Sequence, residues 1–230
     1  MSLFLASASP RRKALLEQVG FRFDVLAVNI DETPHENEHP ESYVKRMAQD
    51  KALEASHILR QRLGIGSGQH HVLLASDTSV VLGHTILGKP NDRLHFIDMM
   101  QQLSGRSHQV LTSVCVRRAA PSTDPEASVK ATSKASAKAM TEKVVVETTI
   151  TEKTIIVATK VYFKTLSQDE IRSYWNTDEP IDKAGGYGIQ GRGALFVERV
   201  EGSYSNVVGL PLKETAELLV EFQISPWDES

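Results

Sequence analysis

The run from Val72 to Leu82 is so rich in leucine and β-branched residues that it suits a strand buried on both faces of a sheet. Only Ser76-Asp77-Thr78-Ser79 interrupts it. Asp77 is the constraint, because an unpaired carboxylate inside the most hydrophobic strand of a chain would be strongly destabilising. The fold must bring it a metal, another cation or a proton. A salt bridge to Lys51 or Lys89 would satisfy it with no functional consequence, and a lone buried aspartate is structural about as often as catalytic. Its position near the C-terminal part of a central strand favours function, since open α/β sheets bind ligands beyond such strand ends.

Around this strand the chain alternates between the two periodicities. Leu3 to Ala6 forms a short apolar strand, and Ser9-Pro10 then opens a helix with Leu15, Leu16 and Val19 that ends at Gly20. Ser9 suits the N-cap, Pro10 the first helical position and Gly20 the C-terminal cap. A second helix is predicted from about Glu41 to Arg62. Gly83-His84 reads as a hairpin turn to a partner strand, Thr85 to Leu87. A helix from Asp92 to Leu103, a strand from Gln109 to Val116 and a pair of strands across 144–163 follow. Ser167 and Glu170 make a capping box for a helix ending near Trp175. After the glycine-rich stretch Gly185 to Gly193 come a strand, Ala194 to Val200, and a last helix opened by Pro211 with Leu212, Ala216, Leu219 and Val220 on one side. Strands and helices alternate without a strict βαβ rhythm, which predicts an α/β fold with a mixed central sheet.

In residues 119–143 Pro, Ser, Thr, Ala and Lys dominate and large apolar residues nearly vanish, as in a flexible surface insertion. A length of 230 residues with 40% hydrophobic residues fits one domain or two small lobes sharing a cleft. The net charge of −3 gives no global attraction to nucleic acid, so none is expected as a partner. The single cysteine, Cys115, has no Cys/His cluster beside it and reads as a buried, inert thiol in a reducing compartment. The N-terminal residues have the wrong order and length for a secretory signal, and no stretch approaches the ~18 apolar residues of a membrane span. The cytosol is the expected location, with no membrane partner. The eight histidines lie mostly in polar stretches and read as surface residues.

Four further features resist a purely structural reading. Val44, Met47, Ala48, Ala55, Ile58 and Leu59 share one face of the second helix, and Lys51 falls in the middle of it. It must snorkel out, pair with a carboxylate or meet an anionic ligand. Ser7-Ala8-Ser9-Pro10-Arg11-Arg12-Lys13 brings hydroxyls, free amides at a helix start and three cations together, which favours phosphate. An ordinary capped helix with a solvated basic turn has the same pattern. Glu32, in Ile30-Asp31-Glu32, is a solvated turn residue or a site carboxylate. The glycines around Gln190 serve tight turns, or let backbone approach a ligand while the carboxamide reads a base edge. Neither a dinucleotide fingerprint nor a phosphate-binding Walker loop occurs in the chain.

In order along the chain, Leu5-Ala6-Ser7-Ala8-Ser9-Pro10-Arg11-Arg12, Asp31-Glu32, Lys51-Ala52, Ala75-Ser76-Asp77-Thr78, Gly88-Lys89-Pro90, Leu103-Ser104-Gly105, Asp182 to Gly191 and Val208-Gly209-Leu210-Pro211 resemble the Maf family. That family is named for septum formation inhibition and is regarded as nucleoside triphosphate pyrophosphatases related in fold to inosine triphosphate pyrophosphatase. The resemblance implies one elongated domain over residues 1–230, its two lobes flanking a substrate cleft, commonly in a homodimer. It implies that Asp77 is the catalytic base or a metal ligand, and that Glu32 helps to position the metal or water. Ser9, Arg12, Lys51 and Lys89 would bind the triphosphate. Arg11, Thr78 and Gln190 match positions of base selection in the subfamily acting on dTTP and UTP; the 7-methyl-GTP subfamily is expected to carry an aromatic residue where this chain has Arg11. The implied activity is house-cleaning hydrolysis of dTTP, UTP or modified pyrimidine nucleotides to monophosphate and pyrophosphate, with Mg²⁺ or Mn²⁺ as cofactor. Two departures stand out: Ser76 where glycine is common, and the insertion. Other readings are a methylated-purine pyrophosphatase, or a regulatory nucleotide- or nucleic-acid-binding protein linked to cell division.

Overall fold

The computed structural model describes residues 1–63, 71–119 and 151–227. Among these residues seven strands form one mixed sheet: β1 (Ser2–Leu5), β2 (Asp24–Val25), β3 (His71–Leu82), β4 (Thr85–Leu87), β5 (Ser107–Ala119), β6 (Glu152–Phe163) and β7 (Val197–Glu201). Their order is β2-β1-β3-β5-β6-β7, with β4 beside β3. β1 runs parallel to β2 and β3, and every other pairing is antiparallel. The helices are α1 (Pro10–Gln18), α2 (Pro40–Leu63), α3 (Arg93–Leu103), α4 (Gln168–Trp175), α5 (Tyr204–Val208) and α6 (Leu212–Glu221). The expected mixed α/β architecture is present.

The register of β3 shapes the site. β1 pairs with His71 to Leu74 and β4 with Val80 to Leu82, both on the edge away from β5. Between them, Ala75 to Ser79 faces a notch in the sheet, where a parallel neighbour has stopped and an antiparallel one has not begun. Alternation along the strand sends Leu73 and Ala75 toward Ala48, Ala52 and Ala55 of α2, where small side chains let the helix lie close to the sheet. Val72 and Leu74 go to the other face, against Leu15 and Leu16 of α1 and Leu218 and Leu219 of α6. Farther along that face Val80 packs with Phe96, Met99 and Met100 of α3. The two clusters are anchored at opposite ends of β3, and the polar residues of the strand lie between them.

Local signals set most boundaries. Ser9 caps α1 by accepting from the Arg12 amide, Pro10 is its first residue, and Gly20 just beyond it has φ +83°. Asp92 caps α3 through the His95 amide at 2.8 Å, and Ser167 with Glu170 forms the expected capping box on α4. Cys115 is buried, and desolvation pushes its thiol up to about 12. An inert thiol follows.

Several expectations change. Ala119, assigned to the insertion, is the buried last residue of β5, opposite His71; residues 120–143 lie outside the described ones. Across 144–163 the described residues hold a single strand, β6, and 144–150 lie outside them. Residues Arg192–Phe196 form a 3-10 turn instead of the start of a strand, so β7 begins at Val197. The Ala194 amide donates to the Gly191 carbonyl at 3.2 Å, a turn bond where the ladder would have begun, just after the Arg192 and Gly193 amides held by the Glu179 carboxylate. Val220 is 57% exposed: the buried stripe of α6 runs through Thr215, Leu218 and Leu219, and one residue further turns about 100° away from it. His71 and His108 are buried, not surface residues, because each occupies an inward strand position. His108 shares a 2.7 Å hydrogen bond with the Tyr187 hydroxyl, and desolvation lowers its pKa to about 4, so it is neutral near pH 7.

Phe96 has no exposed surface and lies 5.1 Å, centroid to centroid, from Trp175. Phe96→Ala is expected to cost about 3 to 5 kcal/mol, read by urea unfolding followed through tryptophan fluorescence. A loss below about 1 kcal/mol would contradict a tightly packed cluster there.

Candidate active site

The notch in the sheet opens into a cleft of about 1030 Å³. On one side, the chain leaving β1 turns through Ser7 to Ser9 into the N-terminus of α1, so amides and the positive helix end face the cavity. Arg12 is fixed just inside. Its Nε donates to the Gly209 carbonyl at 2.8 Å, Nη2 to the Thr78 hydroxyl at 3.2 Å and Nη1 to the Ser7 hydroxyl at 3.3 Å. Desolvation lowers the guanidinium's pKa, with the Asp77 charge opposing and Arg11 adding to it; arginine nonetheless stays cationic. Thr78 and Ser76 point to this face and meet the same Gly209 carbonyl, while Thr78 also bonds Thr112 at 3.0 Å.

Asp77, between them in sequence, points to the opposite face, toward α2. There the Lys51 ammonium lies 2.7 Å from Asp77 Oδ1 and 2.7 Å from Glu32 Oε1. Of the three ways Lys51 could be satisfied, the fold uses carboxylates, two of them. Lys51 and Asp77 side chains are each only 12% exposed, so the pairing is in a poorly solvated place where neither charge could stand alone. Lys89 approaches Glu32 from the cleft rim at 3.9 Å. Burial disfavours an ionised Glu32, but the hydrogen bond and charge of Lys51, then Lys89 and Arg12, outweigh it and hold its carboxyl below the usual range. Two carboxylates thus share one ammonium, a place that already holds a cation between oxygen ligands, with Lys89 and Arg12 adding positive charge on the cleft side.

The Glu32 loop is tied to α2. The Tyr43 hydroxyl donates to the Glu32 carbonyl at 2.8 Å, Arg46 Nη2 to the Thr33 carbonyl at 3.1 Å, and the Arg46 guanidinium grips Glu38 with two bonds of 2.6 and 2.8 Å. Desolvation, then the charges of Asp77 and Glu32, push the Tyr43 hydroxyl up to about 12, so it remains a donor. Across the cleft, Arg11 reaches Asp182 at 3.4 Å, and Lys183 bonds Asp182 at 2.6 Å. The adjoining loop carries Gln190 along the same cavity.

Ser9, Arg11, Arg12, Glu32, Lys51, Asp77, Thr78, Lys89 and Gln190 therefore all line one cleft. Ser9 spends its hydroxyl on capping α1 and Thr78 engages Arg12, which gives each a structural task beside any contact with a ligand. Asp77 and Glu32 are the carboxylates that could hold a divalent ion; among the described residues no group of three or more His, Cys, Asp or Glu is arranged to do so. Sequence reasoning missed Tyr43, Glu179, Asp182 and Gly209 as individual contributors. A signal existed for Tyr43, which precedes Met47 and Lys51 at the four-residue spacing that stacks side chains on a helix.

Lys51→Met is expected to destabilise the protein by about 2 to 4 kcal/mol, because the buried Asp77 carboxylate loses its partner. Adding Asp77→Asn should restore much of that loss, and strictly additive effects in urea titrations would argue against the coupling. Acid should loosen the Glu32 loop in a defined window. The hydrogen bonds of Arg46 lower the Glu38 pKa from 4.5 to about 2. A carboxyl depressed in the folded state contributes stability that is complete above its unfolded value and disappears as pH falls through its folded one. Stability is thus expected to drop between about pH 4.5 and 2, and Arg46→Met should flatten that part of the curve, as followed by thermal melts across pH.

The chain is 42% identical over 220 residues to a dTTP/UTP pyrophosphatase of Aliivibrio fischeri, covering 96% of this chain and 97% of that one. Proteins carrying the same name in Pseudoalteromonas translucida and Vibrio cholerae are 43% and 41% identical, over 96% of this chain and 97% of theirs. A nucleoside-triphosphatase / dITP/XTP pyrophosphatase of Mycobacterium abscessus overlaps 71% of this chain and 74% of its own at 11% identity and a TM-score of 0.34, too little to carry weight. The family model described as Maf-like protein matches residues 2–222, and the chain belongs to the Maf family.

Proposed function

We propose that this protein hydrolyses dTTP and UTP between the α- and β-phosphates, releasing the monophosphate and pyrophosphate. The observation that carries the reading is the Lys51 ammonium seated at 2.7 Å from both Asp77 and Glu32, in one cleft with Arg12 and the N-terminus of α1. A strong anion grip beside a cation-holding pair of carboxylates suits a triphosphate with its counter-ion. The names of the relatives support the substrate class. Arg11, basic where a 7-methyl-GTP enzyme is expected to be aromatic, supports a pyrimidine over a methylated purine.

In this reading the triphosphate lies against Ser9, Arg12, Lys51 and Lys89. Asp77 accepts a proton from water as its oxygen attacks the α-phosphorus in line, and the bond to the bridging oxygen breaks with its electron pair leaving on pyrophosphate. Arg12 and Lys89 stabilise that developing charge, so most of the acceleration is positioning and electrostatics. Arg12 is prepared for this by three hydrogen bonds already made in the protein. Asp77 and Glu32 are the residues that would hold Mg²⁺ or Mn²⁺, since both offer the hard carboxylate oxygens such ions prefer. Such an ion would neutralise phosphate charge and make bound water more acidic. Arg11, Thr78 and Gln190 select the base: uracil and thymine offer one ring N–H between two carbonyls, which suits a carboxamide and a guanidinium. The cytosol and a homodimer belong to the same proposal, the first supported by a single buried thiol and the second by the family resemblance.

Anion-exchange analysis of products tests the reaction: UMP and pyrophosphate are expected from UTP, whereas UDP and orthophosphate would refute it. Asp77→Asn is expected to lower turnover about 100-fold or more while circular dichroism stays native. A panel including CTP, GTP and 7-methyl-GTP, with and without Mg²⁺, decides the base and the metal, and light scattering gives the oligomer.

A further inference from the structure

The loop that carries Gln190 is folded around one carboxylate. Glu179, in the turn after α4, accepts from the Tyr174 hydroxyl at 2.7 Å, the Arg192 amide at 2.9 Å and the Gly193 amide at 3.2 Å. The Gly188 amide closes the ring by donating to the Tyr174 hydroxyl at 3.1 Å. The fit leaves no room for side chains. A Cβ on Gly191 would stand 2.4 Å from both Glu179 oxygens, and one on Gly193 would meet the Tyr174 hydroxyl at 2.8 Å and the Gly188 carbonyl at 2.7 Å. Glycine at both positions is thus the condition for wrapping backbone around an anion. Lys183 joins the same turn by donating to the Glu179 carbonyl at 2.9 Å. Desolvation disfavours the charged carboxylate, but Tyr174 and the two amides outweigh it and hold its pKa below the usual range, so the clamp is ionised at neutral pH.

Gln190 sits between Gly188 and Arg192, the residues whose amides begin and resume this ring. A glutamine carboxamide reads a base edge only when its oxygen and nitrogen arrive at the right distance and direction, and both are set by the backbone that carries the side chain. A loop free to shift would let the same carboxamide meet uracil and cytosine in more than one pose. We propose that Glu179 is a positioning residue for base selection: by clamping residues 188–193 it fixes the backbone from which Gln190 meets the nucleobase. The proposal rests on the reading, given above, that Gln190 contacts the base. Glu179 finds all its described partners within residues 174–193, so it acts on the base end of the cleft and not on the Asp77, Glu32 and Lys51 centre.

The test compares kcat and KM for UTP and CTP in the wild type, Glu179→Ala, Glu179→Gln, Gln190→Ala and the double variant Glu179→Ala/Gln190→Ala. Expected is a fall of about tenfold in the UTP-over-CTP ratio of kcat/KM in both alanine variants, arising in KM more than in kcat. The double variant should be no less selective than Gln190→Ala alone, because both changes remove one function. Glu179→Gln, which keeps only one good acceptor, should lie between, and hydrogen exchange at the Arg192 and Gly193 amides should quicken in it. If Glu179→Ala fails to fold, Glu179→Gln carries the same comparison. The proposal is overturned if Gln190→Ala loses selectivity while the Glu179 variants keep the wild-type ratio or lose activity equally toward both nucleotides. If Gln190→Ala itself keeps the ratio, the base-reading role of Gln190 fails, and the proposal with it; the two failures are told apart by that single variant.

Discussion

A carboxylate in the middle of a buried strand has to be matched, and the match to Lys51 organises this molecule. Asp77 cannot move, because β3 is hydrogen-bonded along β5 from His71 to Val81. Lys51 must therefore come to it, and α2 can deliver the ammonium only by lying against the sheet through Ala48, Ala52 and Ala55. Bulkier residues there would lift the helix and leave two charges stranded in a poorly solvated space. The packing of the helix and the electrostatics of the site are one requirement. Glu32 then shares the same ammonium, which brings a loop from before α2 to the cleft and fixes the place where oxygen ligands converge.

The notch beside β3 makes this centre accessible. Where β1 has ended and β4 has not begun, consecutive side chains reach the cavity from both faces of the sheet. Asp77 serves the acidic side and Thr78 the arginine side, one residue apart, with no insertion or bulge. A strand paired along both edges could not do this, because its polar side chains would be sealed under helices. The apolar clusters on either side of the notch keep it from closing: one is built on α1 and α6, the other on α3 and α4. Gly209, at φ +126°, turns the chain after α5 so that its carbonyl faces Ser76, Thr78 and Arg12 together.

Much of this was legible in the residues, for reasons that differ from place to place. Asp77 and Lys51 stood out because a charge on an apolar strand or helix face violates the local pattern. The entrance of α1 stood out because capping uses fixed residue types at fixed spacing. Glu32 and Gln190 violate no pattern, so the residues alone left a solvated turn and tight turns open beside a functional role, and the family resemblance chose between them. Glu179 was silent, since its partners are mostly backbone amides and an amide has the same sequence signature everywhere. The start of β7 differs from the expected Ala194 because the Ala194 amide closes a turn on the Gly191 carbonyl, directly after two amides held by Glu179, and that turn is visible only when the residues after α4 are beside it. His108 misled because its neighbours in sequence are polar while its neighbours in space are Phe163 and Tyr187.

The sequence by itself determined where helices begin, which strand is central, and that a carboxylate in that strand needs a positive partner. Those are short-range matters of hydrogen-bonding, periodicity and the cost of burying charge. Only the tertiary structure decided which cation answers it. Lys89 is nearer along the chain, yet Lys51 makes the 2.7 Å contact while Lys89 stops at Glu32, 3.9 Å away. Ion pairing depends on separation through space and on exclusion of water, and both were set by how α2 packs on the sheet, not by distance along the backbone.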